Sequence, residues 1–187
     1  PEYIKRVKEG DIRDNNRRFL TVDTAMSKLT YADFTGFCDN RVDFDNYWNL
    51  SAWRQKVGPE ELVDTLFVLH TSRKYDAIGI EKTAYLEGLK PYLDSEQRRR
   101  NVFLPIVELH HALKAKEIRI RGLLPRYASG SIRHIEGQCK DLEEEMFAFP
   151  FGTHDDILDA TAYQLQIADQ PHKVHSQQVS VFIPNLD

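Results

Sequence analysis

Apolar and polar residues alternate along this chain in a way that predicts strands first and strand–helix pairs afterwards. Three strands separated by polar turns are predicted at residues 19–23, 33–38 and 47–57. Apolar residues at helical spacing then predict four helices, at residues 58–75, 83–99, 138–149 and 153–168. Short apolar runs predict further strands between the helices, at residues 76–81, 103–109 and 131–135. An antiparallel meander followed by parallel strands that alternate with helices predicts an α/β fold, with a mixed central sheet covered by helices on both faces.

Length and composition predict one domain with polar ends. At 187 residues and 41% hydrophobic content, the chain is long enough to bury a core, and residues 19–170 are predicted to form it. The charged opening, residues 1–18, is predicted to be a linker from a longer polypeptide, and residues 171–187 a C-terminal tail. No apolar run is long enough to predict a membrane span. Cys38 and Cys139 are too few for a disulfide framework, which favours a reducing compartment.

Charge is distributed unevenly, although the net charge of −4 argues against a strong stand-alone nucleic-acid binder. Nine Lys and Arg lie between Arg98 and His134, opposed by two Glu, and eight acids with one Lys follow up to Asp159. Such a basic segment beside an acidic one suits a phosphate-contacting surface next to a carboxylate cluster. Solvated helix faces would give the same charge runs, and that alternative stays open. The candidate phosphate contacts lie on a predicted basic helix, residues 114–127, and are Lys114, Lys116, Arg119 and Arg121.

Separated acidic residues carry the candidate chemistry. Asp23 and Glu81 each end a predicted strand, and Asp155 and Asp156 open the last predicted helix with Asp159 on the same side. If the strands are neighbours these carboxylates converge, and an oxygen-only donor set selects Mg²⁺ or Mn²⁺. Two such ions about 4 Å apart activate a water and stabilise the leaving oxygen of a phosphodiester. Ordinary structural roles remain open too, because acids are common in turns and as helix N-caps.

Several motifs in this order resemble the C-terminal nuclease domain of the large terminase subunit of tailed double-stranded DNA bacteriophages. The resemblance covers residues 19–168 and rests on FLTVD, DAIGIEKTAY, the basic KEIRIRGLLP, LEEEMFAFP and HDDILDA. It implies an RNase H-like fold and metal-dependent cutting of concatemeric viral DNA during genome packaging. It further implies that two Mg²⁺ or Mn²⁺ ions are held by Asp23, which bridges them, by Glu81, and by Asp155 or Asp156, with Asp159 a weaker candidate.

The same resemblance implies partners and a place of action. These are double-stranded DNA, an N-terminal ATPase domain of the same polypeptide, the portal and the small terminase subunit, at the procapsid in the host cytoplasm. Two alternatives remain. One is another RNase H-like nuclease, such as a junction resolvase or an integrase. The other is a non-catalytic docking module of the packaging motor.

Overall fold

One seven-stranded sheet organises the part of the chain that the computed structural model describes, residues 3–24, 34–110 and 116–168. Its strands are β1 Lys5–Val7, β2 Asp14–Asp23, β3 Thr35–Asp43, β4 Trp48–Gln55, β5 Ala77–Glu81, β6 Ile106–Leu109 and β7 Ile132–Ile135. The helices are α1 Pro59–Arg73, α2 Ala84–Arg100, α3 Lys116–Arg121, α4 Leu124–Ala128, α5 Lys140–Ala148 and α6 Asp156–Ile167, with a 3₁₀ turn at Glu9–Asp11. No helix in these ranges combines the length and apolar character that crossing a membrane requires.

The strand order is β1-β7-β4-β3-β2-β5-β6, which confirms the predicted mixed sheet. Strands β2, β3 and β4 pair antiparallel, while β5 and β6 extend the sheet in parallel beyond β2, and β7 and β1 do so beyond β4. The carboxyl ends of β2, β4 and β5 therefore lie at the same edge of the sheet. Asp23 and Glu81 are the last residues of β2 and β5.

The two faces of the sheet pack against different helices, as the sequence predicts. Along β2, Leu20 and Val22 pack with residues of α1 and α2, whereas Phe19 packs on the opposite face with residues of α3, α4, α5 and α6. Because side chains alternate along a strand, Thr21 and Asp23 share the α6 face with Phe19. Helix α6 is apolar nearly all round and lies against this face, where Tyr163 is fully buried.

Three segments differ from the sequence predictions. The opening residues are not a plain linker up to Phe19, because β1 pairs with β7 and β2 begins at Asp14. Strand β3 runs to Asp43 instead of ending near Cys38, since its polar second half remains paired with β2 and β4. The predicted basic helix is split into α3 and α4, with Pro125 in the first turn of α4. Residues 114 and 171–187 lie outside the described ranges.

Candidate metal centre

The topology brings Asp23 and Glu81 side by side. They directly follow Val22 and Ile80, which are partners in the parallel β2–β5 ladder, so both carboxylates lie on the α6 face. Neighbouring strands are about 4.8 Å apart, which places the two side chains within reach of a common ligand. Glu81 is almost completely buried, with 3% of its surface exposed. The sequence could not show this directly, because β2 and β5 are neighbours in the sheet but far apart along the chain.

Helix α6 begins against the sheet because Gly36 leaves room for it. A Cβ atom at Gly36 would lie 2.3 Å from the carbonyl oxygen of Asp156 and 2.9 Å from the backbone nitrogen of Ile157. Gly36 is also the β3 partner of Asp23. The missing side chain therefore lets the first turn of α6 approach the sheet directly beside Asp23.

A buried polar network fixes how α6 lies along β2 and β3. Thr21 Oγ1 donates to the carbonyl of Ala160 at 2.6 Å and accepts from Gln164 Nε2 at 2.9 Å. The same Gln164 amide donates to the Cys38 carbonyl at 2.8 Å. Hydrogen bonds between buried groups are geometrically demanding, so this network prevents α6 from sliding along the sheet. Its consequence is a defined position for the acids at the start of α6.

Glu145 on α5 caps the N-terminus of α6 from a different helix. Its Oε2 accepts hydrogen bonds from the backbone N–H groups of Ile157 and Leu158, both at 3.0 Å. The N-cap residue of α6, Asp155, makes no side-chain capping bond of its own. Burial raises the pKa of Glu145 to about 7, opposed by the Leu158 N–H and supported by the charge of Asp156. A carboxylate from α5 thus satisfies the helix end and leaves Asp155 and Asp156 available to other groups.

Three of the four predicted phosphate contacts are engaged with acids inside the molecule. Lys116 Nζ lies 2.7 Å from Asp155 Oδ1 and 3.2 Å from Asp159 Oδ2. Arg119 Nη2 lies 2.8 Å from both oxygens of Asp159. Arg121 pairs with Glu117 one turn away on α3, at 2.7 Å. Lys114 is outside the described residues. The basic and acidic runs of the sequence therefore neutralise each other in part.

Mutual repulsion among the acids is visible at Asp23. Burial, together with the charges of Asp159, Glu81 and Asp156, raises the pKa of Asp23 to about 8, while the charge of Lys116 opposes the rise. Burial also raises the pKa of Asp156, and the charge of Asp155 adds to this while Lys116 and His154 oppose it. Carboxylates crowded in this way accept a cation readily, because it removes their repulsion.

The donor chemistry fits a hard divalent cation, although the ligands are not assembled in advance. Within residues 3–24, 34–110 and 116–168, no three His, Cys, Asp or Glu side chains are close enough together to form a ready-made metal site. Lys116 and Arg119 instead supply the positive charge beside Asp155 and Asp159. Asp23, Glu81 and Asp156 add further carboxylate oxygens beside these groups, and oxygen-only donors suit Mg²⁺ or Mn²⁺.

Sequence reasoning missed the residues that place these acids. Gly36 and Glu145 are not chemical groups of the site, and each acts through a contact with the first turn of α6. A weak signal for Glu145 was present, since it is the last Glu of the LEEEMFAFP motif. Nothing in the sequence pointed to Gly36, because only the approach of a distant helix explains the absence of a side chain.

Comparison with known proteins shows the fold through structure alone. No protein-family model and no curated protein matches the sequence. The large terminase nuclease from thermophilic phage G20c, solved with bound zinc, superposes with a TM-score of 0.63 at 13% identity, covering 89% of this chain and 95% of that one. The HK97 bacteriophage large terminase superposes with a TM-score of 0.53 at 13% identity, covering 71% of this chain. The present chain spans 32% of the HK97 protein.

A second kind of enzyme shares the architecture. The fowlpox virus Holliday junction resolvase superposes with a TM-score of 0.50 at 11% identity, covering 81% of this chain and 97% of that one. These identities are low, so the matches show a common fold. The chain therefore has the RNase H-like α/β fold that the sequence predicted, and the structures it resembles include nucleases of large terminases.

Proposed function

We propose that the protein is a metal-dependent endonuclease that hydrolyses phosphodiesters of double-stranded viral DNA during genome packaging. The observation that carries the proposal is the adjacency of Asp23 and Glu81 at one edge of the sheet, where burial and the charges of Asp159, Glu81 and Asp156 raise the pKa of Asp23. Structural similarity to a terminase nuclease over 89% of the chain supports it.

In this proposal Asp23, Glu81 and Asp156 hold two Mg²⁺ or Mn²⁺ ions. When bound, such ions supply an activated water and stabilise the leaving oxygen of the phosphodiester. The contribution of the chain is to orient its carboxylates. Gly36 and Glu145 position the first turn of α6, and the Thr21–Gln164 network fixes the position of α6 along the strands. Asp155 is engaged by Lys116, which favours Asp156 as the principal ligand from α6.

Lys116 and Arg119 have a second role in this proposal. Burial alone would lower the pKa of Lys116, but the hydrogen bond to Asp155 and the charge of Asp159 raise it, so the ammonium group keeps its proton. Held by Asp155 and Asp159, these two cations lie beside the acids and neutralise part of their charge. That neutralisation lowers the repulsion that a DNA phosphate meets on approaching a carboxylate cluster.

The decisive experiment is plasmid digestion with Mn²⁺, with and without chelator, for the wild type and Asp23→Ala. We expect nicked and linear products with 5′-phosphate and 3′-hydroxyl ends from the wild type alone, and only when metal is present. Asp94→Asn is the matched control, since Asp94 is an exposed acid of α2 on the other face of the sheet. Cutting that persists in purified Asp23→Ala would refute the assignment. Absence of Mg²⁺ and Mn²⁺ binding by calorimetry would support a docking module instead.

A junction resolvase is the second candidate, favoured by the similarity to the fowlpox virus enzyme over 81% of the chain. The two functions differ in substrate. A terminase nuclease cuts linear duplex, whereas a resolvase prefers a four-way junction. A competition digest with equal concentrations of linear duplex and four-way junction distinguishes the two functions. Faster cutting of the junction would favour the resolvase.

The wider setting remains part of the same proposal. We infer an N-terminal ATPase domain in the same polypeptide, with the portal and the small terminase subunit as partners, acting at the procapsid in the host cytoplasm. Co-purification of the protein with portal and small subunit from infected cells tests this. Recovery of neither partner would argue for a nuclease that works outside packaging.

A further inference from the structure

Cationic side chains surround one aromatic ring next to the acids. The Arg54 guanidinium carbon lies 4.8 Å from the ring centre of Phe34, and Lys56 Nζ lies 5.0 Å from it. The imidazole of His154 meets the same ring edge-on at 5.6 Å. A cation near the face of an aromatic ring is attracted by the ring's electron density, so these contacts hold the two side chains at the ring. We call Phe34, Arg54, Lys56 and His154 the β4 patch.

The β4 patch lies on the same face of the sheet as the acids. Asp23 pairs with Gly36 on β3, and Gly36 pairs with Arg54 on β4, so the three form one row across the sheet. Directly opposed residues of antiparallel strands point to the same face, and two strand spacings place Arg54 roughly 10 Å from Asp23. His154 closes the gap from the other side, with Nδ1 3.9 Å from Asp156 Oδ2.

The positive charge of the β4 patch is more available than that of α3. Lys116, Arg119 and Arg121 each contact a carboxylate at 2.7–2.8 Å. Lys56 is exposed and pairs with no acid in the part of the chain that the structure describes. Arg54 Nη1 forms an ion pair with Glu145 Oε1 at 3.6 Å, which is longer than a hydrogen bond and longer than the contacts of the α3 cations. The cations of α3 are therefore already paired with carboxylates, whereas Arg54 and Lys56 carry positive charge that a DNA phosphate can still neutralise.

We propose that the β4 patch binds backbone phosphates of duplex DNA, with Arg54 about 10 Å from Asp23 in the same row of the sheet. This rests on the proposed nuclease function and adds a docking surface to it. Arg54 and Lys56 contact the phosphates, and Phe34 is a positioning residue that holds both cationic side chains. Within the patch, His154 contacts both the Phe34 ring and Asp156, on the path a DNA strand would follow from Arg54 and Lys56 to the acids.

The test measures affinity for a fluorescent duplex with chelator present, so that no cutting occurs, at several salt concentrations. Lys56→Ala and Arg54→Ala are each expected to weaken binding several-fold and to lower the slope of log K against log salt by about 1. Lys56→Arg keeps the charge and should restore the slope. Arg98→Ala removes the same charge from an exposed position on α2, on the opposite face of the sheet, and should leave the slope unchanged.

Lys56→Ala keeps the test decisive, because Lys56 is exposed and its loss should not disturb folding, whereas Arg54 also contacts Glu145. An unchanged slope in Lys56→Ala and in a folded Arg54→Ala would overturn the β4 patch. A larger loss of slope in Lys116→Ala than in Lys56→Ala would place the contact on α3 instead. Both results are distinct from failure of the nuclease proposal, which would appear as a wild type that binds DNA but cuts nothing with Mn²⁺.

Discussion

Two aspartates on neighbouring strands, Asp39 on β3 and Asp23 on β2, lie on opposite faces of the same sheet and in opposite electrostatic surroundings. Asp39 accepts two hydrogen bonds from Arg18, at 2.8 and 2.9 Å, and a third from the hydroxyl of Tyr75 at 2.8 Å. Arg73 adds a further contact at 2.5 Å. Asp23 faces α6 and is influenced by the charges of three other acids, with Lys116 opposing them.

This difference separates an acid that stabilises the fold from one that does not. Asp39 is buried, yet its charge is compensated by two guanidinium groups, so removing it would leave those groups without a partner. Asp23 has its pKa raised to about 8 by burial and by like charges, which means that the folded protein keeps its carboxylate at a cost. Acids with strongly perturbed pKa values are concentrated at functional sites, which makes Asp23 the stronger candidate of the two.

The largest expected effect is on the rate of DNA cutting, which should depend on Asp23 and hardly on Asp39. Asp23→Asn should lower the Mn²⁺-dependent cutting rate by about a thousandfold or more, because an amide neither carries the charge nor replaces a bridging carboxylate. Asp39→Asn should keep most of the rate per folded molecule, since Asp39 faces α1. Initial rates of plasmid nicking measure both. Equal losses in the two variants would remove the distinction.

For stability the order of the two aspartates should be reversed, with the larger loss on replacing Asp39. Asp39→Ala is expected to lower the free energy of unfolding by about 3–5 kcal/mol, because it leaves Arg18 and Arg73 as partly buried charges without their carboxylate. Urea denaturation monitored by circular dichroism measures this loss in the free energy of unfolding. Asp94→Ala, an exposed acid on α2, should change stability by less than about 0.5 kcal/mol. A loss at Asp39 no larger than at Asp94 would show that the buried pairs contribute nothing net.

Gly36 tests whether the crowding around Asp23 depends on the close approach of α6. Gly36→Ala places a methyl group 2.3 Å from the Asp156 carbonyl oxygen and should cost about 1–3 kcal/mol as α6 is pushed outward. It should also slow cutting, because Asp156 moves away from Asp23. Gly88→Ala is the control, since nothing lies within 4 Å of that position on α2, and there alanine should stabilise by up to about 1 kcal/mol. A normal cutting rate in Gly36→Ala would mean that the site tolerates the shift.

Glu145 tests the same placement from the side of α5. Glu145→Ala removes the acceptor for the N–H groups of Ile157 and Leu158, which should cost about 1–2 kcal/mol and reduce cutting in a folded protein. Thermal melts and nicking rates report the two effects. Glu144→Ala, its exposed neighbour, is the control because it pairs only weakly with Lys140 at 3.7 Å. Full activity in Glu145→Ala would assign Glu145 to stability alone.

A strand or helix could be predicted from the sequence where its pattern of apolar and polar residues is local, and not where it depends on pairing with a distant segment. The strand–helix order followed from local patterns, and β4, β5, α1, α2 and α6 were found within a few residues of their true bounds. Strand β1 was missed because Lys5–Val7 carries little apolar pattern and gains its structure from pairing with β7, which lies far later in the chain. The second half of β3 was missed for the same reason, since pairing on both sides outweighs its polar composition.

The sequence predicted which acidic residues belong to the candidate site, but not how the charged side chains of the site are paired. Asp23, Glu81 and the pair Asp155 and Asp156 could be selected because strand ends and a helix start place acids at one edge of a sheet. The pairing of Lys116 and Arg119 with Asp155 and Asp159 could not be selected, because a charge count does not say which charges meet. For that reason the sequence assigned these cations to DNA, whereas the structure engages them internally. Lys56 drew no attention because it is a single charge at a strand end.

The last expected effect is a pH dependence of stability in metal-free protein, which again separates Asp23 from an ordinary acid. The folded state keeps a proton on Asp23 up to about pH 8, whereas the unfolded chain releases it near the usual aspartate pKa of 3.8. The folded state therefore binds more protons between these two pH values. Stability that Asp23 contributes below pH 4 is consequently lost as the pH rises towards 8.

An asparagine at this position cannot titrate, so the variant isolates that loss. With chelator present, the free energy of unfolding of Asp23→Asn should rise relative to that of the wild type by about 3–4 kcal/mol between pH 5 and pH 8. Urea denaturation at both pH values measures the difference, and Asp94→Asn should follow the wild type. Saturating Mg²⁺ should remove the advantage of the variant, because the cation compensates the wild-type charge. Parallel pH curves for the wild type and Asp23→Asn would show that burial and the neighbouring acids do not raise the pKa of Asp23 in the folded protein.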